Sequence, residues 1–250
     1  MSAHPRDSAV PGPYGPVSAR PGKTGRGTWL RRWVTRVTRK LERNFGEPTA
    51  PRRRRDPLEV LIGTILSQNT NDELRDRAHD RLREKYSTYE AMLEAPVRSI
   101  AAAIRISGLH RQKAERIKRV LRWTEERFGS LSLRGLCRLR GEEAFKALAS
   151  LNGVGPKTAA VVLLFGCGRD IFPVDTHCYR TGRRIGFVPW KSSREQTFQA
   201  MQPLVPDGKS LSLHLNLIQL GRTICRAPRP RCYECFLVGE CRFPEKTAGP

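Results

Sequence analysis

Apolar residues recur at three- and four-residue steps along most of this chain, beginning with Leu30, Trp33, Val34, Val37 and Leu41 set among arginines. That period places them on one face of a helix. After the charge run Arg52 to Arg55, Asp56 and Pro57 read as an N-cap and first helical position, and Leu58, Leu61, Ile62, Ile65 and Leu66 again share a face. The stripe returns at Leu74, Ala78 and Leu82, at Val97, Ile100, Ala101 and Ile104, and at Ala114, Ile117, Leu121 and Phe128. Ser192 and Ser193, three residues before Glu195 and Gln196, offer capping boxes for a later helix. No sustained alternating pattern marks a strand, so the fold class is all-α. These stripes are read as core packing.

One segment breaks the plain pattern. Residues 142 to 166 read as helix, tight Gly-Val-Gly turn, helix, with Pro156 near the first position of the second helix. Gly153 and Gly155 tolerate backbone angles that other residues resist and let the main chain approach a ligand closely. The helix start behind them offers free N–H groups to a phosphate. The plain alternative is a helical hairpin, because an isolated G-x-G is a weak signal.

Charge decides between the two. The 250 residues carry 46 Lys and Arg against 24 Asp and Glu, a formal net charge of +22, and such a balance attracts polyanions. Nucleic acid is the expected partner. A membrane is not, since no apolar stretch approaches the roughly 20 residues of a spanning helix. A soluble, cytoplasmic protein is expected, nucleoid-associated in a bacterial cell. Residues 1 to 27, rich in Pro, Gly, Ser and Arg, are expected to form a disordered basic tail.

Cysteine spacing adds chemistry. Cys225, Cys232, Cys235 and Cys241 form C-x6-C-x2-C-x5-C, flanked by Arg222, Arg226, Arg229, Arg231 and Arg242, which would offset the negative charge of a thiolate-ligated cluster. Structural zinc sites usually pair two short knuckles, and only Cys232 with Cys235 makes one, so the spacing favours a [4Fe–4S] cluster over zinc. Seven cysteines leave an odd one, and a disulfide framework fits least. Cys137, Cys167 and Cys178 lie outside the motif and are read as buried thiols.

Two residues near the hairpin carry candidate catalysis. Lys157 sits in the first turn of the second helix, where the positive end of the helix dipole, partial desolvation and neighbouring cations lower an ammonium pKa. A neutral lysine is a nucleophile able to form a Schiff base with a sugar aldehyde carbon, although a lysine in a DNA-binding protein is more often a phosphate contact. Asp175, in I-F-P-V-D-T-H, stands where an N-cap is the ordinary explanation. A carboxylate in so basic a protein works against polyanion affinity, and therefore invites a role in stabilising a cationic sugar transition state. His177 is read as structural.

Taken in order, L-N-G-V-G-P-K-T-A at 151 to 159, V-D-T-H at 174 to 177 and the four-cysteine motif resemble the endonuclease III family of helix-hairpin-helix DNA glycosylases. The resemblance runs from about residue 30 to 243. It implies two helical lobes, a six-helix barrel over 57–168 and a cluster lobe made by 28–56 with 169–243. Double-stranded DNA carrying damaged bases or abasic sites would lie across the cleft between them, bound by a monomer, with the target nucleotide flipped out. Lys157 would attack the sugar C1′ and expel the base, Asp175 would assist, and β-elimination would follow. Related adenine-mismatch glycosylases lack this lysine, so the expected activity is that of a bifunctional glycosylase and AP lyase acting on oxidised pyrimidines. A uracil or mismatch glycosylase, or a DNA-binding module without catalysis, are the alternatives. The family's strand-separating glutamine aligns with Asn69, with Gln68 adjacent, and Gly108-Leu109-His110 stands at the family's wedge. Gly153, Gly155, Arg229 and Arg231 complete the expected DNA contacts. Asn152 replaces a common proline before the hairpin.

Overall fold

Asp56 is where the chain turns inward. In a computed structural model, which describes residues 25–51 and 54–249, its carboxylate accepts the Leu58 N–H at 2.9 Å, capping a helix that starts on Pro57. A second bond, from the Leu133 N–H at 3.0 Å, ties that cap to a distant turn. The helix it opens, α2 (Pro57–Leu66), buries Leu58, Leu61, Ile62, Ile65 and Leu66. Apolar on nearly every side, it can only be stable when surrounded.

The surrounding elements follow in chain order. α3 (Asp72–Lys85) is capped by Asn71, α4 (Tyr89–Glu94) by Thr88, α5 spans Val97–Ala103 and α6 spans His110–Phe128. α6 stops on Gly129 at φ 66°, whose N–H returns to the Glu125 carbonyl. α7 (Gly141–Ala149) and α8 (Pro156–Val161) form the predicted hairpin. α8 runs on as a π-helical turn over Val162–Gly166, and such turns recur near functional sites. α2 packs on α3, α6, α8 and this π-turn. Its approach to the π-turn depends on Gly166, where a Cβ would stand 2.8 Å from Pro57 Cα.

The remaining helices gather on another centre. α1 (Gly25–Phe45) and α9 (Thr176–Ile185) both pack on α11 (Ser210–Thr223), while α10 (Arg194–Met201) leans on α8. α1 docks through the stripe read from sequence: Trp33, Val34, Val37 and Leu41 are buried, each contributing about 1.5–3 kcal/mol of transfer free energy. The all-α class holds, with no strand among the described residues.

Four details differ from expectation or refine it. Residues 25–27, assigned to the tail, belong to α1, and residues 1–24 lie outside the described residues. Only Ser193, with Gln196, forms a capping box. Arg52 and Arg53 also fall outside the described residues, while Arg54 donates to the Leu164 carbonyl at 3.2 Å and Arg55 pairs with Glu59. The fourth is a correction: Cys137 and Cys167, expected as buried thiols, are joined by a disulfide, leaving Cys178 as the buried free thiol outside the motif. The π-turn delivers Cys167 to the turn at 134–138, and Arg169 fastens the two by donating to the carbonyls of Cys137 and Leu139. This pairing spans 30 residues and has no spacing signature.

Candidate active site

A cleft of about 1430 Å³ runs past α2, α3, α8, α9 and α11. Gln68, Asn69, Gly155, Lys157, Asp175, His177, His214 and Arg222 line it, so residues from widely separated motifs face one space. Lys157 enters from the first turn of α8, immediately behind Pro156 at the helix start. Burial pushes its ammonium below the ordinary lysine range, and Asp175 pulls in the opposite direction. The direction matches the sequence expectation, but desolvation is its leading cause.

Asp175 has two faces. Its Oδ1 accepts the Cys178 N–H at 2.7 Å and so caps α9. The carboxylate also lines the cleft and acts electrostatically on Lys157. The capping role and a chemical role are therefore compatible: the cap fixes the carboxylate's position opposite the lysine. His177 stays near this cap, with Arg180 Nη2 at 3.2 Å from its Nδ1, and burial lowers its pKa.

His214 lines the same cleft and was not singled out from sequence. Its ring is buried, with Nδ1 3.0 Å from the Pro173 carbonyl and 3.4 Å from Cys178 Sγ. Burial pushes it down to about 4, so it remains neutral at pH 7. It provides a polar but uncharged part of the cleft lining. In the sequence it is one residue of an α11 stripe, with nothing local to separate it from a core histidine.

Of the expected DNA contacts, Gln68, Asn69 and Gly155 line the cleft, and Leu109, His110 and Gly153 are not among its lining residues. Gln68 is held inward by the Arg116 guanidinium, which donates to its Oε1, whereas Asn69 is exposed at φ 52°. Leu109 stands 47% exposed at φ 46°, an apolar side chain held out in a strained backbone conformation, and His110 follows as the first residue of α6. Gly153, at φ 87°, lies against Arg116, and Gly155 opens α8. A side chain at 153 would be strained by its backbone and would run into that guanidinium.

Away from the cleft, Cys225, Cys232, Cys235 and Cys241 line a separate pocket walled by Leu220, Ile224, Leu237 and Phe243. Arg184, itself buried, donates to Cys225 Sγ at 3.5 Å and to the Arg226 and Ala227 carbonyls. Burial raises the Cys235 thiol to about 11 and raises Cys241 as well. No three His, Cys, Asp or Glu side chains among the described residues are gathered closely enough for a single metal ion. Four cysteines around one apolar pocket beside a buried guanidinium fit a thiolate-held cluster in their chemistry. Of the two loop arginines, Arg229 is exposed, while Arg231 is committed to Glu234 at 2.9 Å and to the Thr223 carbonyl.

Fold and cleft define a class that comparison with known proteins makes specific. Residues 62–207 match the model of the HhH-GPD superfamily of base excision DNA repair proteins, and the chain belongs to that superfamily. The protein is a DNA glycosylase/lyase. It is 36% identical over 188 residues to endonuclease III of Thermotoga maritima, covering 75% of this chain and 84% of the relative. A non-covalent endonuclease III–DNA complex superposes with a TM-score of 0.72 at 28% identity, over 85% of this chain and 95% of that one. A thermostable thymine-DNA glycosylase superposes with the same TM-score, at 26% identity over 88% of this chain and 99% of that one. Within the superfamily, the chain is a member of the endonuclease III family.

Proposed function

We propose that this protein is a bifunctional glycosylase and AP lyase that removes oxidised pyrimidines from double-stranded DNA through a Schiff base on Lys157. The observation that carries the reading is Lys157 in the first turn of α8, half-buried with a lowered pKa, facing a cleft it shares with Asp175. In this reading the free amine attacks C1′ of a flipped nucleotide as the base leaves with the bonding electrons. The Asp175 carboxylate stabilises the cationic sugar, and loss of a C2′ proton then breaks the 3′ C–O bond. A silent DNA-binding module has no use for this pair.

The duplex lies across the cleft between the 57–168 lobe and the lobe formed by 28–56 with 169–243, bound by a monomer. Gly153, Gly155 and the start of α8 meet phosphate. Asn69 and Leu109 enter the stack, with Gln68 and His110 beside them. A [4Fe–4S] cluster would be held by Cys225, Cys232, Cys235 and Cys241 and would shape the loop that presents Arg229 to the backbone. The equal structural likeness to a thymine-DNA glycosylase supports a second reading, a mismatch enzyme. Single-turnover excision from matched duplexes separates them: thymine glycol is expected to leave faster than uracil, mismatched thymine, or adenine opposite 8-oxoguanine. A clear preference for any of the latter refutes the substrate class.

A further inference from the structure

Two lysines of α6 are buried, and they do the same thing in different places. Lys118 donates to the carbonyls of Leu93 and Ala95, away from the cleft. Lys113, 1% exposed, donates to the Leu66 carbonyl at 2.8 Å and to the Ser107 carbonyl at 2.7 Å. Leu66 ends α2, immediately before Ser67, Gln68 and Asn69, and Ser107 immediately precedes Gly108, Leu109 and His110. One ammonium therefore joins the roots of the two segments whose tips stand exposed at positive φ, Asn69 and Leu109.

Among the described residues, no carboxylate is found to act on this charge. Burial pushes Lys113 down to about 8, the Arg116 guanidinium adds to that, and its compensation comes from the Leu66 carbonyl at the end of α2 and the Ser107 carbonyl of the 105–107 turn. A buried cation held by two carbonyls is a costly way to join two chain segments. One turn further along α6, Arg116 holds Gln68 and lies against Gly153 of the hairpin. The same face of α6 thus touches three loops, of which the one at 67–70 and the far end of the hairpin at Gly155 line the cleft.

We infer that Lys113 is a positioning residue that fixes the separation of the Asn69 and Leu109 loops, so that both enter the duplex in register while the damaged nucleotide leaves it. This rests on the functional reading above, because it assigns those two loops to DNA. It separates from a purely structural role by a difference in substrates. Extruding a paired, stacked base requires both loops. Cleavage at a preformed abasic site has no base to extrude and requires mainly Lys157 and Asp175.

The test compares Lys113→Met with Lys118→Met, each as iron-loaded full-length protein, on a thymine glycol duplex and on a duplex with a preformed abasic site. Lys113→Met is expected to slow base excision by about 10- to 100-fold, as for a small misplacement of a positioning group, and to leave abasic-site cleavage within about threefold. Lys118→Met is expected to show no such split. Leu109→Ala added to Lys113→Met should cost little more, since the two act as one unit. Where Lys113→Met gives no soluble protein, Lys113→Gln carries the comparison. Equal losses on both substrates, the same split in Lys118→Met, or additive losses with Leu109→Ala would overturn the inference. Wild-type protein that excises no base at all sinks the functional reading instead. Hydrogen exchange then decides on Lys113: joint loss of protection in 66–70 and 107–110 supports the clamp, and unchanged protection overturns it.

Discussion

Arg222 at the end of α11 reaches Asp72 at the start of α3, Nη2 to Oδ2 at 2.6 Å, and Asp72 also holds Arg75 at 2.8 Å. The two charges line the same cleft. Both are well exposed, so the pair contributes at most about 1 kcal/mol to folding. Its effect should show on DNA binding instead, because a phosphate must compete with Asp72 for Arg222. Asp72→Asn is expected to leave the melting temperature nearly unchanged while tightening duplex binding about two- to fivefold at low salt. Anisotropy titration checks this, and weaker binding would show that Asp72 orders the cleft instead of guarding it.

Asp175 pulls the Lys157 pKa up against the lowering by burial. The free amine forms as pH rises through that pKa, so the carboxylate holds the acid limb of the rate profile at higher pH than burial alone would set. Asp175→Asn should move that limb to lower pH. Asparagine caps helices as well as aspartate does, so the fold is expected to survive. The plateau rate should nonetheless fall by about 10²-fold or more through loss of a transition-state stabiliser. A limb that moves to higher pH, or an unchanged plateau, would return Asp175 to capping alone.

Much of this was legible from local pattern. Asp56 with Pro57, the stripe on α1 and the Gly153-Val154-Gly155 hairpin are set by neighbours in sequence, and each formed where read. His214, Lys113 and the Cys137–Cys167 disulfide were not legible, because each depends on distant segments meeting. Lys113 illustrates the limit: in H-R-Q-K-A-E-R-I-K it reads as one more solvated charge, and only the arrival of α2 and the 105–107 turn encloses it. The alignment that sets Asn69 at the strand-separating position likewise gives no sign that Arg116 holds its neighbour Gln68.

The cysteines divide into two chemical groups, and iron content should follow that division. Replacing any of Cys225, Cys232, Cys235 or Cys241 with alanine is expected to abolish iron and the broad visible absorbance. Cys137→Ser and Cys167→Ser should leave iron unchanged and alter only the number of thiols freed by reductant. Stoichiometric zinc in a colourless, active preparation would contradict the cluster.

The central claim is that Lys157 is the nucleophile, and borohydride reduction during turnover tests it most directly. Wild-type protein mixed with a thymine glycol duplex should yield a covalent protein–DNA adduct whose modified peptide contains Lys157, while Lys157→Ala binds abasic duplex yet yields neither adduct nor released base. Base release by Lys157→Ala, or an adduct mapped to another amine, would contradict it.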